Sequence, residues 1–479
     1  MDVVVVGAGP VGLWLAAELR LAGVEPVVLE RRGELTRESR AVAFHARTAE
    51  IFAARGIVDR FVAEGLPLPR AHFALLPTPL DFSRLPTGYP YQLILPQART
   101  EHLLAEWARE LDVPIRRGHN VVGVRQDESS ATVAVRGPDG AYELSARYVV
   151  GCDGGNSIVR IQAGIDFPGT DTGVTAVVSD AQLRDPPTSW GFQVNDRGAL
   201  LMGPLGTSGL YRVAVLDAAR TMVDKREPVT VAELRESIRR IAGTDFGLDA
   251  VPWVSRFGNA ARQAERYRSG RILLAGDAAH VHPPLGGQGL NTGLQDAMNL
   301  GWKLAAEVHG WAPPGLLDTY HAERHPVGLA VLANTLAQLR LVDGSEAAMP
   351  LRDLFAFLLT MEPVNRYLAG QVSGLDFAYP SADGDHPLVG QRVPALPGLP
   401  EALHAGRPVL LDLADDPKLR NTVTSGWSDR VDVVSTPDPT APAAVLVRPD
   451  GHIAWASGGT TPIEHALTQW FGNPHPECR

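Results

Sequence analysis

Three glycines close to the N-terminus have the spacing of a phosphate-binding turn, Gly7-x-Gly9-x-x-Gly12. They follow an apolar run of strand length, Val3 to Val6, and open a helical pattern. In such a turn the first glycine permits the sharp bend, the second admits a pyrophosphate to the backbone, and the third allows close packing of helix and strand. Glu30 stands eighteen residues after Gly12, where a carboxylate can accept hydrogen bonds from ribose hydroxyls. The pattern predicts a dinucleotide site and leaves open whether the ligand is FAD or NAD.

An acidic residue follows a second buried strand further along the chain. The apolar run Ile272 to Ala275 leads into Gly276-Asp277, and a carboxylate at such a strand end can bind a polyol hydroxyl. A glycine-rich turn, Pro283 to Gly289, then starts a predicted helix. The first N–H groups of that helix would face a flat, electron-rich ligand.

A third motif, Cys152-Asp153-Gly154 with Arg160 downstream, ends another run of buried-strand character. With the three motifs in this order, essentially the whole chain resembles the FAD-dependent aromatic monooxygenases of the para-hydroxybenzoate hydroxylase type, also called group A. Within that family it is most similar to hydroxylases of angucycline and anthracycline polyketides, and then to rifamycin monooxygenases. The resemblance therefore favours FAD as the bound dinucleotide.

The resemblance also implies roles for residues at the matching positions. Arg40 would lie near the pyrophosphate and Gln97 near the ribityl chain, while the Asp-Gly motif would serve both FAD and NAD(P)H. No catalytic acid or base is identified, because the flavin carries the chemistry and Pro284 and Gly286 only line its reacting face. The implied cofactor-binding residues are Gly7, Gly9, Gly12, Glu30, Arg31, Arg40, Gln97, Asp153, Gly154, Asp277, Pro284, Gly287, Gly289 and the backbones of Leu290 and Asn291.

In this family, oxygen transfer proceeds through a flavin C4a-hydroperoxide, which attacks an electron-rich phenolic ring. The protein must hold that ring in place and exclude water, a task that suits an apolar cavity. Arg212 could orient a phenolate, but a solvated or paired arginine is the favoured interpretation. The predicted pocket residues, each of which could also be ordinary core, are Phe73, Leu93, Leu95, Trp190, Phe192, Met202, Pro204 and Leu205.

Composition excludes several classes of protein. The 479 residues carry a formal net charge of −10, which offers no general attraction for nucleic acid or an anionic membrane. Only two cysteines occur, Cys152 and Cys478, so neither a disulfide scaffold nor a cysteine-based metal site is expected. His280 and His282 lack a third ligand at a sensible spacing, and no metal is expected. The absence of an apolar span or a leader pattern predicts a cytoplasmic protein.

The order of predicted elements indicates an α/β protein of three parts. A Rossmann-like FAD-binding domain would comprise residues 1–170 and 266–385, interrupted by a β-sheet substrate domain at 171–265, where short strands are bounded by Gly, Asp and Pro. Residues 386–479 resemble the thioredoxin-like domain of larger phenol and polyketide hydroxylases. Because this region lacks Cys-x-x-Cys, we expect a structural role for it.

These features predict an FAD-dependent hydroxylase of a polycyclic aromatic polyketide in antibiotic biosynthesis. It would consume O2 and NAD(P)H, with NADPH favoured, and act as a monomer or homodimer. One alternative is the same chemistry used to inactivate a rifamycin- or tetracycline-like antibiotic. An alternative of another class is an FAD-binding partner protein without turnover. No second GxGxxG motif occurs, which argues against flavin enzymes with a separate NAD domain.

Overall fold

The structure of the protein is a computed structural model that describes residues 1–36, 39–206, 208–394, 396, 398–436 and 442–475. Cys478 lies outside this part of the chain. The strands are β1 (Val3–Val6), β2 (Pro26–Glu30), β3 (Ala43–Phe44), β4 (Leu66–Leu68), β5 (Arg70–Ala71), β6 (Leu80–Asp81), β7 (Gln92–Ile94), β8 (Ile115–Arg117), β9 (Asn120–Gln126), β10 (Ala131–Gly137), β11 (Gly140–Ala146), β12 (Tyr148–Gly151), β13 (Gly169–Thr170), β14 (Thr175–Ala181), β15 (Gly191–Asn195), β16 (Gly198–Pro204), β17 (Tyr211–Asp217), β18 (Trp253–Gly258), β19 (Ala261–Gln263), β20 (Arg268–Ser269), β21 (Ile272–Leu274), β22 (His280–Val281), β23 (Val409–Asp412), β24 (Asp432–Ser435), β25 (Ala444–Val447) and β26 (Ile453–Ala456). The α-helices are α1 (Pro10–Leu21), α2 (Ala46–Ala53), α3 (Val58–Val62), α4 (Gln97–Glu110), α5 (Ile158–Gln162), α6 (Val231–Ala242), α7 (Gln288–His309), α8 (Thr319–Leu341), α9 (Met349–Leu358), α10 (Glu362–Ser373), α11 (Leu399–Ala402), α12 (Pro417–Thr424) and α13 (Ile463–Phe471).

The central sheet has six strands in the order β20-β21-β12-β1-β2-β8. Apart from the antiparallel edge strand β20, neighbouring strands are parallel, and the apolar runs of β1, β12 and β21 are buried. Val6 pairs with Leu29 on one side and with Gly151 on the other, so these strands end at the same level. All three predicted motifs therefore leave the sheet at one edge, where ligands bind in open α/β sheets.

A five-stranded antiparallel sheet, in the order β15-β16-β17-β14-β18, is inserted between β12 and β21. Helix α6 covers one face of it, and Leu200, Met202, Leu234 and Ile238 belong to the resulting core. The sequence analysis predicted short strands in this region but not α6. The helix begins with a cap in which Thr230 Oγ1 accepts a hydrogen bond from the Glu233 N–H at 3.1 Å.

Two small sheets and a meander complete the first part of the chain. Strands β3, β7 and β4 form one small antiparallel sheet, β5 and β6 form a second, and β9 to β11 form the meander. Apolar residues of the first small sheet pack against Trp190 and Leu205, so it faces the inserted sheet. Residues of both sheets line the cavity described below.

The C-terminal region contains a four-stranded sheet in the order β24-β23-β25-β26. Strand β23 is parallel to β24 and antiparallel to β25, and the strands are almost completely buried except for β24. Trp302 of α7 and Leu316 share an apolar core with this region. In the part of the chain that the structure describes, no helix is long and apolar enough to cross a membrane.

Candidate active site

A cavity of about 1860 Å³ lies between the carboxyl edge of the central sheet and the inserted sheet. This volume exceeds the several hundred Å³, roughly 300–1000 Å³, of a typical pocket for one small molecule. One wall carries the three glycine- and aspartate-containing motifs, and the opposite wall carries apolar side chains of β15 and β16. The cavity can therefore accommodate two ligands of different chemistry side by side.

The glycines after β1 differ in what surrounds them. Gly7 has a φ of +105°, and a Cβ atom built on it would fall on the carbonyl group of Cys152. A Cβ on Gly12 would fall on the carbonyl oxygen of Gly7, whereas one on Gly9 would meet nothing within 4 Å. Gly7 and Gly12 are thus required for packing, and Gly9 leaves an open approach from the cavity to the N-terminus of α1.

Glu30 secures the same turn with its carboxylate. One oxygen accepts a hydrogen bond from the Ala8 N–H at 2.8 Å, and the other accepts one from the Arg32 N–H at 2.9 Å. Each oxygen keeps a second lone pair, and Glu30 lines the cavity together with the exposed Arg31. The acid therefore shapes the turn and stays available to a hydroxyl ligand.

Asp277 follows β21 and is open to the cavity. The surrounding protein disfavours its charge and raises its pKa, although His280 and Arg40 oppose that effect. The turn that carries it is held by Asp296, which accepts hydrogen bonds from the Gly276 N–H at 3.2 Å and from His280 Nε2 at 2.7 Å.

Asp296 is a functional residue that the sequence analysis missed. It is fully buried on α7 and also accepts a hydrogen bond from Arg324 Nε at 2.8 Å. Burial opposes its ionisation, but His280 and Arg324 outweigh that effect and lower its pKa. The sequence signal for Asp296 is limited to an acidic residue among the apolar residues of α7. Its partners His280 and Arg324 lie on other elements, β22 and α8, so the local sequence does not show that they meet it.

The Asp153 carboxylate caps helix α5. Its Oδ2 accepts hydrogen bonds from the N–H groups of Ile158 at 2.7 Å and Val159 at 3.3 Å, whereas Oδ1 is buried without a partner among the described residues. Burial raises the pKa of Asp153. Arg160 donates to the carbonyl groups of Ala278 at 2.9 Å and Gly155 at 2.9 Å, which ties the second motif to the third. Gly154 lines the cavity beside them.

The glycine-rich turn before α7 is held from the side by His45. Its Nε2 donates a hydrogen bond to the Gly286 carbonyl at 2.8 Å, and burial lowers its pKa to about 4. The side chain of Asn291 accepts from the His45 N–H at 2.8 Å and from Thr48 Oγ1 at 2.6 Å. Asn291 therefore connects α7 to α2 with its side chain. The other predicted residues of this turn line the cavity, namely Pro284, Gly286, Gly287, Gly289 and Leu290.

The segment around Arg40 is fixed between two elements. Gln97 Oε1 accepts a hydrogen bond from the Ala41 N–H at 3.1 Å, and Arg212 Nη1 donates to the Arg40 carbonyl at 2.8 Å. Arg212 also donates to the Ser39 carbonyl and, at 2.7 Å, to Asp180. All three guanidinium nitrogens of Arg212 thus donate a hydrogen bond within the protein, and the structure shows it as a paired arginine.

Trp190, Phe192, Pro204 and Arg212 line the cavity as predicted, but five other predicted pocket residues do not. Met202 lies on the opposite face of its strand from the one predicted. Leu201 faces the cavity, and because successive side chains of a strand alternate between its two faces, Met202 faces α6. The other four fill apolar cores that sequence patterning cannot distinguish from a cavity wall. These residues are Phe73, Leu93, Leu95 and Leu205.

Comparison with known proteins shows the family. Residues 1–335 match the model of the FAD binding domain family, and residues 386–474 match that of the C-terminal region of aromatic-ring hydroxylases. The chain belongs to the FAD binding domain family. It also carries the C-terminal region of aromatic-ring hydroxylases, and both matches agree with the family resemblance given by its motifs.

Relatives of this family member match over nearly their full length. A 12-dehydrotetracycline 5-monooxygenase/anhydrotetracycline 6-monooxygenase of Streptomyces rimosus is 47% identical, with 99% of each chain covered. A rifampicin monooxygenase of Streptomyces venezuelae is 46% identical, with 98% of each covered. The crystal structure of an aromatic hydroxylase from angucycline biosynthesis matches with a TM-score of 0.91 at 44% identity, with 99% of each chain covered.

The groups at the motif wall suit an FAD molecule. Gly9 leaves space for a pyrophosphate, Asp277 offers a carboxylate to a polyol, and Gly289 and Leu290 occupy a helical turn whose N–H groups lack helical acceptors. Asp153 Oδ1 adds a buried acceptor to which no described residue donates a hydrogen bond. This donor and acceptor set is what a dinucleotide with a sugar-alcohol chain and a polar ring edge requires.

Proposed function

We propose that this protein is an FAD-dependent, NADPH-consuming monooxygenase that hydroxylates a polycyclic aromatic polyketide. One observation carries the proposal: a single cavity has a dinucleotide-binding wall opposite an apolar wall of aromatic and aliphatic side chains. The tetracycline and angucycline enzymes that it resembles over 99% of their length support an aromatic polyketide as the substrate class.

The residues that would hold FAD come from all three motifs. Gly9 and the N-terminus of α1 would take the pyrophosphate, Glu30 the ribose and Asp277 the ribityl chain, while Arg31 and Arg40 supply positive charge nearby. The N–H groups of Gly289 and Leu290 would meet the ring edge, with Pro284 and Gly287 beside it. Bound FAD, reduced by NADPH, supplies the activation of dioxygen.

The chain itself would contribute positioning and exclusion of water. Phe192, Leu201 and Pro204 present an apolar surface to a flat ring system, and the charge of Arg212 beside them is paired with Asp180. A reactive oxygen species survives longer in such a desolvated space. Catalysis by orientation in this way does not require an acid–base pair.

The three-part division belongs to the same proposal. Residues 1–170 and 266–385 would form the FAD-binding domain, 171–265 the substrate domain, and 386–479 a thioredoxin-like domain. The mixed four-stranded sheet flanked by α12 and α13 supports that likeness. Since the only cysteine of this region is Cys478, we assign it a structural role.

One relative supports a second biological role for the same reaction. The chain is 46% identical to a rifampicin monooxygenase, so inactivation of an antibiotic is a candidate role for the same chemistry. A catalytically silent FAD-binding protein is the remaining alternative, and it would show no turnover with any substrate.

The test combines cofactor analysis with turnover. The purified protein should carry FAD, and NADPH oxidation with oxygen consumption should rise on addition of a polycyclic phenol, whose product gains one oxygen atom by mass spectrometry. A precursor such as anhydrotetracycline as the best substrate would favour biosynthesis, and a finished antibiotic, rifampicin or tetracycline, would favour inactivation. Flavin that stays oxidised with NADPH and every phenol tested would contradict the proposal.

A further inference from the structure

His72 lies at the substrate side of the cavity, directly after strand β5. Its neighbours Ala71 and Phe73 are anchored in an apolar cluster against which Phe192, Leu201 and Leu285 pack. The backbone of His72 is therefore held between the inserted sheet and the glycine-rich turn before α7. Its side chain lines the cavity at this junction.

No residue that the structure describes makes a hydrogen bond to the imidazole of His72, whereas each of the other histidines near the site has one partner. His45 bonds to the Gly286 carbonyl, His280 to Asp296 and His282 to the Pro283 carbonyl. Among the residues that the structure describes, neither nitrogen of His72 makes a hydrogen bond, and its Nδ1 is buried. Nδ1 is closed off from the cavity, so Nε2 is the nitrogen that a ligand there can reach, and it has no partner in the described part of the chain. A ligand that fills this side of the cavity would exclude water from Nε2, and because an unpaired polar group in a dry space is costly, we expect the ligand to supply a hydrogen-bonding group.

The chemistry of that partner follows from the state of the ring. Burial, together with the nearby His45, lowers the pKa of His72 to about 4. The ring is therefore neutral at pH 7, with one nitrogen that donates and one that accepts. A hydroxyl group can do either, so it satisfies whichever nitrogen faces it. A carboxylate can pair only with a donating nitrogen and a cation only with an accepting one, whereas a hydroxyl group pairs with the exposed nitrogen in either tautomer.

We propose that His72 binds a hydroxyl group of the aromatic substrate and thereby selects phenolic rings over rings without a hydroxyl. This inference rests on the proposed function, because the ligand must be an aromatic molecule in the apolar half of the cavity. His72 would be a specificity-determining residue, and Arg212, whose guanidinium nitrogens are all engaged, would not share that role.

The test is a binding titration of the FAD-loaded enzyme with β-hydroxyanthraquinone and with anthraquinone, which lacks the hydroxyl. Perturbation of the flavin absorbance reports binding without turnover. We expect His72→Leu to weaken binding of the phenol about tenfold, and that of anthraquinone less than about twofold. His72→Gln keeps a hydrogen-bonding group and should recover part of the loss. His102→Leu, at an exposed position of α4, is the matched control.

A His72→Leu enzyme with normal FAD content and thermal unfolding that still prefers the phenol would overturn the inference. A wild-type enzyme that binds both compounds equally, or neither, would overturn it as well. Failure of the proposed function has a different signature, since the wild-type protein would then lack FAD or fail to oxidise NADPH with any phenol. The FAD content and the His72 effect are measured separately, so the two failures are distinguishable.

Discussion

Arg448 and Glu323 form a buried, two-bonded ion pair that joins the C-terminal region to helix α8. Arg448 Nη1 lies 2.7 Å from Glu323 Oε1, and Nη2 lies 2.8 Å from Oε2. Lys303 of α7 donates to the same carboxylate at 2.6 Å, and Asp450 also pairs with Arg448. Because these charges are removed from water, each of them is tolerated in the interior only while its oppositely charged partners are present.

Removal of one member of this network should destabilise the whole protein. Glu323→Gln leaves two buried cations, Arg448 and Lys303, with only the charge of Asp450 to balance them, and we expect a loss of about 3–5 kcal/mol in the free energy of unfolding. Urea denaturation measures this loss. Arg125→Ala is the matched control, because the Arg125–Glu143 pair is exposed, and it should change stability little. Equal effects of the two variants would contradict a stabilising role of the buried network.

Stability should decrease in mild acid, in part because of His452. Burial lowers the pKa of this residue to about 4, so below its ordinary value of 6.5 the unfolded ring takes up a proton that the folded ring does not. The stabilising contribution is present above pH 6.5 and is lost as the pH falls toward 4, by about 1 kcal/mol per pH unit. Urea denaturation at several pH values should show a smaller slope for His452→Gln than for the wild type. An unchanged slope would mean that His452 titrates normally in the fold.

Alanine substitutions at two glycines of the same motif should affect different properties: FAD affinity in one variant and stability of the apoprotein in the other. Gly9→Ala places a methyl group in open space at an ordinary φ of −74°, so the apoprotein should unfold at the wild-type temperature while its affinity for FAD falls. Gly12→Ala places a methyl group on the Gly7 carbonyl and should destabilise the apoprotein itself. Thermal unfolding of the apoproteins and fluorescence titration with FAD separate the two effects. Normal FAD affinity in Gly9→Ala would argue against pyrophosphate binding at this turn.

Two neighbours on β16 test which face of the inserted sheet meets the substrate. Leu201→Ala should raise KM for the aromatic substrate with a small change in stability, since Leu201 lines the cavity. Met202→Ala should cost about 2–5 kcal/mol of stability with little change in KM, because Met202 is packed under α6. Steady-state kinetics and denaturation of both variants show which of the two residues faces the substrate. A KM effect confined to Met202→Ala would reverse the assignment of faces.

Local sequence patterns were enough to predict the family and the general α/β architecture, because each motif directly follows a strand that can be recognised from its run of apolar residues. What the patterns could not show depends on partners far apart in sequence. The bond from His45 to Gly286 spans 241 positions, and Asp296 gathers groups from three elements. Met202 was assigned to the pocket because both faces of β16 are apolar, so composition alone could not set the phase of the strand.

The central sheet also has a consequence for the order of folding. Strand β12 pairs with β21, yet the entire inserted sheet is synthesised between them. During translation, β1, β2 and β12 emerge well before the strand that leads to Asp277, and the neighbour that covers β12 on its outer side is missing. Such non-local pairing slows assembly and exposes an apolar strand edge in the meantime. The outer edge of β12 in the nascent chain therefore stays unpaired until residue 274 has left the ribosome.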